Sequence, residues 1–194
     1  VLEDALLVLG ERAPKSTTAI YIAIAGQIFA QLILCGVFHS RVSQAEGTRK
    51  EYAEMRSDIL ATLTKLYYFG QVEKIAWAGI SNFNNALRIK SASDKFCTAL
   101  ANYAVTLVSG GFTELGLATF EAAGTFAAQS RSRIANSIYK SRYAYYFLFY
   151  NQPQKSIELL EESTNHFRSI GEMWELMTAV GALAQNYFLI TELE

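Results

Sequence analysis

Two prolines and two cysteines stand in 194 residues. With so few helix breakers and 51% hydrophobic residues, the composition suits long helices and argues against disorder. Cys35 and Cys97 each lie in an apolar stretch, without disulfide or metal-ligand spacing, and are expected to be reduced core residues of a cytoplasmic protein. Aspartate is scarcer still: Asp4, Asp58 and Asp94 lie far apart, so no carboxylate pair suggests itself. His39 and His166 have no second ligand at helical spacing, and a bound metal needs three or four. No strand pattern and no glycine-rich phosphate motif occurs. The expectation is a chain with no catalytic residue, no cofactor-binding residue and no metal site.

Excess charge of one sign is also missing. The formal net charge is −1, so no global field draws the chain to nucleic acid or anionic lipid. The chain opens on Val1 without a basic, cleavable leader, and is expected to begin inside a longer protein.

What is present is a repeat. "LYYFGQVEK" (66–74), "TLVSGGFTE" (106–114) and "FLFYNQPQK" (147–155) align with turn residues at Gly70, Gly110 and Asn151, and the next step lands on Thr191. A period near forty residues signals stacked helical hairpins. Apolar residues recur at three- and four-residue spacing on both sides of each turn. Tyr67, Leu107, Leu148 and Phe188 fall three residues before the turn, and Leu63, Tyr103, Ala144 and Ala184 seven before it, as one buried face. After the turn, Ile75, Leu115 and Ile157, with Phe126 and Phe167, form the facing side. Ser93 and Asp94 can cap a helix start, Pro153 suits a first turn and Gly171 a helix end.

Helices are expected near 52–69, 72–90, 94–109, 112–129, 132–150, 153–170 and 172–190. The fold class is all-α, an α-solenoid of tetratricopeptide-like hairpins, with HEAT-like units as the alternative. The organisation is an N-terminal apolar helix and linker over 1–50 and a repeat array over 51–194. That array ends on a first helix without its second, so Leu183, Tyr187 and Phe188 are expected to be partly exposed and the natural chain to continue.

Residues 19–38, "AIYIAIAGQIFAQLILCGVF", form an uncharged run of membrane-spanning length. Gln27 and Gln31 share a face with Ala19, Ala23, Gly26 and Ala30, opposite a bulky stripe of Ile22, Phe29, Ile33 and Phe38. Because a repeat array follows a linker of mixed charge, a helix packed on the first repeat is expected, and a membrane tether is the alternative.

The stretches "ALLVLGERAPKS" (5–16), "FHSR", "LYYFGQ", "SNFNNALRI" (81–89), "ALANYAVTL" (99–107) and "GEMWELMTAVGALA" (171–184) come in an order that resembles the tetratricopeptide-like C-terminal region of large class III adenylate/guanylate cyclases, the soluble adenylyl cyclase type. In that family a helical-repeat region follows cyclase domains and an AAA-like, P-loop ATPase module. The resemblance implies a signalling parent with ATP binding elsewhere. It transfers no catalytic residue, since neither the cyclase aspartates nor G-x-x-x-x-G-K-[ST] occurs here.

One basic and aromatic stretch, "RSRIANSIYKSRYAYYFLFY" (131–150), supplies the candidate interaction surface: Arg131, Arg133, Lys140, Arg142 and Tyr143. Such a mixture can grip phosphates and stack bases. The aromatics also fit the repeat core, and the matching "LYYFG" lacks the basic run, so a protein or a neighbouring domain of the same chain is the expected partner. A nucleic-acid adaptor is the other alternative.

Overall fold

The computed structural model describes residues 1–32, 45–89 and 94–193. Among these the chain is all helix, with no strand: α1 (Leu2–Val8), α2 (Thr17–Leu32), α3 (Thr48–Tyr67), α4 (Val72–Ile89), α5 (Asp94–Ser109), α6 (Thr113–Ser130), α7 (Arg133–Phe149), α8 (Pro153–Ile170) and α9 (Met173–Leu193). The chain divides into two compact units, Val1–Ser91 and Ala92–Glu194. Position 50/51 falls within the first turn of α3, and compactness changes at 91/92 instead, because α1 and α2 pack on α3 and α4.

In the first unit Leu6, Leu60, Leu63, Tyr67 and Trp77 form one core. Glu3 ties α1 to it, accepting hydrogen bonds from Tyr67 Oη at 2.7 Å and Lys74 Nζ at 2.8 Å. These two bonds hold the Glu3 carboxyl below its usual range. The core also has a polar side. Ser57 Oγ donates to Asn82 Oδ1, Asn85 Nδ2 to the Ala53 carbonyl, and Asn84 Nδ2 to both the carbonyl and the side-chain oxygen of Gln27. Buried amides need such partners. The small, polar stripe of α2 therefore faces α4, and Ile22 and Phe29 lie exposed on the other side. No described helix is long and apolar enough to cross a membrane. The part of 19–38 beyond Leu32, with Cys35 and Phe38, and also His39, lie outside the described residues.

In the second unit α5 packs on α6 and α7, α7 on α8, and α9 on α8 and α7. The turns explain the spacing. Gly111, Arg131, Asn151 and Gly171 have left-handed backbones, twenty residues apart. At Gly111, Asn151 and Gly171 the next N–H bonds back to the carbonyls of Leu107, Phe147 and Phe167, satisfying acceptors left free at a helix end. The left-handed residue is Gly111 rather than Gly110, which places it forty residues before Asn151. Pro153 begins α8, as its fixed φ favours. Thr191 is not a turn: α9 runs on through it to Leu193, and the Thr191 hydroxyl donates to the Phe188 carbonyl. Ser93 lies outside the described residues.

The expected core positions divide by helix. Leu63, Tyr67, Tyr103, Leu107 and Ala144 are buried, but Ala184 and Phe188 on α9 are exposed. Leu115 is exposed as well, whereas Phe167 is fully enclosed.

Candidate interaction surface

The candidate residues start on α7, whose N-terminus is capped by Ser132 Oγ accepting from Ala135 N. Arg131 occupies the left-handed turn before it and is exposed, as is Arg133. Lys140 reaches across to α8, its Nζ 2.6 Å from Glu162 Oε1. Arg142 points the other way, into the unit. Its Nη2 lies 2.6 Å from Glu175 Oε2 on α9, its Nε donates to Asn102 Oδ1 on α5, and both charged side chains are nearly enclosed. Burial opposes the guanidinium charge, but the field and hydrogen bond of Glu175 outweigh it, and the charged form is stabilised further. Five residues close in sequence thus serve a turn, a surface pair and an internal tie, and do not form one basic face.

Tyr143 belongs to an aromatic ladder. Its ring stacks on Tyr139 at 5.6 Å and on Tyr146 at 5.8 Å, and it meets Phe120 of α6 at 5.1 Å. Burial, with Tyr143 and Glu121 nearby, pushes the Tyr139 hydroxyl up to about 12. The ladder packs α7 against α6 and is half-buried, which suits a core seam.

It continues outward at one end. The Tyr146 ring meets that of Tyr150 at 4.7 Å, tilted by 37°, and the Tyr150 hydroxyl hydrogen-bonds Thr113 at the start of α6. Phe112, Phe149 and Tyr150 are all exposed, so an apolar edge opens where the α5–α6 turn meets the end of α7. Phe149 was among the aromatics that also fit the repeat core, and Phe112 was not singled out. The available signal was position, since turn residues at a hairpin end have no neighbour above them.

The first unit holds a cleft of about 660 Å³ lined by Arg49, Tyr52, Arg56, Asn85 and Arg88 with Glu46. Arg56 is committed elsewhere: it donates to the Leu9 carbonyl and lies 3.9 Å from Glu11, holding the end of α1. His166 Nδ1 lies 2.9 Å from Ser137 Oγ, and among the described residues no three His, Cys, Asp or Glu side chains are grouped to hold a cation. Cys97 is buried, and burial pushes its thiol up, away from the reactive thiolate. Comparison with protein-family models, curated proteins and solved structures returns no match to this chain.

Proposed function

We propose that the chain is a non-catalytic helical-repeat scaffold of tetratricopeptide-like hairpins that holds a protein partner or a neighbouring domain. In this reading it serves as the cytoplasmic regulatory region of a larger nucleotidyl cyclase/ATPase signalling protein. The observation that carries the scaffold reading is the twenty-residue recurrence of left-handed turn residues in the second unit, closing helices that each pack on the next. Equal steps of helix and turn generate an extended surface, and such surfaces hold partners in register without chemistry of their own. The arrangement of charge agrees with this. Arg142 and Lys140 are used to fasten α7 to its neighbours, and the aromatic edge at Phe112, Phe149 and Tyr150 is left for contact.

Two measurements test the proposal. A photocrosslinking residue at Phe149 should yield one discrete, saturable protein adduct in cells, lost on Tyr150→Glu. Absence of any adduct there and at Phe112 counts against the scaffold. Sequencing the surrounding gene tests the parent: cyclase and P-loop domains upstream support it, and an unrelated upstream region removes it.

A further inference from the structure

We propose that the cleft between α3 and α4 in the first unit binds a small sugar phosphate, with Arg49 and Arg88 on the phosphate and Tyr52, Asn85 and Glu46 on the sugar. The cleft has a volume of about 660 Å³, within the roughly 300–1,000 Å³ of ordinary small-molecule sites. A phosphate ion alone would leave most of it empty, so the ligand carries a larger body.

Helical spacing builds both walls. Arg49, Tyr52, Ala53 and Arg56 recur at three and four residues along α3, and Asn85 and Arg88 are three apart on α4, so each set shares one helix face. Two hydrogen bonds fix the walls. Asn85 Nδ2 donates to the Ala53 carbonyl at 2.6 Å, and Ala45 N donates to the Arg88 carbonyl at 3.1 Å, tying the approach to α3 to the end of α4. Among the described lining residues, three guanidinium groups meet one carboxylate, that of Glu46. Arg49 and Arg88 are exposed and make no ion pair or hydrogen bond through their side chains among the described residues. Arg56 is offset only in part, since its Nε is buried without a hydrogen bond, 3.9 Å from Glu11 Oε2. The start of α3 adds to this positive field: Gly47 supplies no side-chain cap, and Ala45, Glu46 and Arg49 place the cleft at that end of the helix.

The charge left over matches a phosphate monoester, which carries about −1.5 to −2 at neutral pH on three terminal oxygens. A guanidinium from each wall can grip those oxygens in forked pairs, a geometry that arginine offers and lysine does not. A single carboxylate would engage one arginine and leave the other unused. Glu46 works against longer polyphosphates, because its carboxylate repels added negative charge. It is instead an acceptor for hydroxyls, as is the side-chain oxygen of Asn85. Tyr52 is 55% exposed and gives the sugar's C–H groups a flat ring face to lie against.

Titration calorimetry of the whole chain with glucose-6-phosphate and ribose-5-phosphate tests this. At least one should bind with a dissociation constant below about 1 mM, and the sugars without phosphate should give no heat. Arg49→Ala and Arg88→Ala should each weaken binding by at least about tenfold with the helical circular dichroism unchanged, while Arg133→Ala in the second unit has no effect. Tyr52→Ala separates the two parts of the ligand: it should weaken the sugar phosphate and leave the much weaker binding of inorganic phosphate unaltered. No heat with either sugar phosphate at millimolar concentration overturns the proposal. So does binding indifferent to both arginines, or an inorganic phosphate that binds as tightly as the sugar phosphate. Should one arginine variant unfold, the other decides, since the two stand on different helices. None of these readings depends on the adduct at Phe149, so this inference and the scaffold reading stand or fall separately.

Discussion

Between α5, α7 and α9 two opposite charges are enclosed, and the balance there is set by what each side chain would lose alone. Removing one member of a buried pair strands the other without solvent, at a cost of about 3–5 kcal/mol, whereas replacing both with apolar residues of similar size is often near neutral. Glu175→Ala should therefore lower unfolding stability in urea by about that amount, and the Arg142→Met, Glu175→Leu double variant should recover most of it. Glu3 offers a contrasting case nearer the surface. Its carboxyl is held below the ordinary value by hydrogen bonds from Lys74 and Tyr67, so the unfolded chain takes up its proton first as pH falls. The stability it supplies is complete above its ordinary value near 4.5 and is lost as pH falls through its folded value. Glu3→Gln should leave a shallower acid limb in the pH profile of thermal unfolding, and an unchanged limb would remove Glu3 from the account. Arg131 pays a local strain, since an L residue with φ of 54° is crowded where glycine is free. Arg131→Gly should raise stability by about 0.5–1 kcal/mol in urea unfolding, because the turn keeps its geometry and loses its Cβ.

Helix pairs depend on how closely their axes approach, and at Gly116 the backbone of α6 lies close against α5. A Cβ there would come within 2.4 Å of Val108 Cγ2 and 3.3 Å of the Ala104 carbonyl, so Gly116→Ala should cost about 1–3 kcal/mol by overpacking, again read from urea unfolding. Gly181 on α9 has open space instead, and Gly181→Ala should stabilise the chain by up to about 1 kcal/mol through helix propensity. These helices were legible in the sequence because the 3.6 period, Pro153 and Gly171 all agreed, and the helical spans fall within a few residues of those expected. Two kinds of information were not. Register at the turns was blurred by the Gly110–Gly111 pair, since either residue can adopt a left-handed backbone. Direction was hidden too: Arg142 follows Lys140 by two residues, but two residues on a helix turn a side chain to nearly the opposite face, toward Glu175 thirty-three positions away. The stripe of α2 was readable as a stripe, yet which side faced protein depended on Asn84, a residue of another helix.

Each compact unit has its own core and its own tryptophan, which makes the whole molecule open to a direct test. Trp77 is fully buried beside Leu60 and Tyr67 in the first unit, and Trp174 lies at the start of α9 in the second, whose core includes Leu160 and Phe167. The chain has no other tryptophan, so Trp174→Phe and Trp77→Phe variants each leave a fluorophore that reports one unit. Cavity-forming substitutions at enclosed leucines cost about 2–5 kcal/mol. The two units have separate cores, so a loss in one need not be spread across the chain. Leu60→Ala should accordingly move the urea midpoint seen by Trp77 while leaving that seen by Trp174 nearly fixed, and Leu160→Ala should do the reverse. If either substitution shifts both midpoints equally, the two units unfold as one cooperative body and the division at 91/92 is geometric without being energetic.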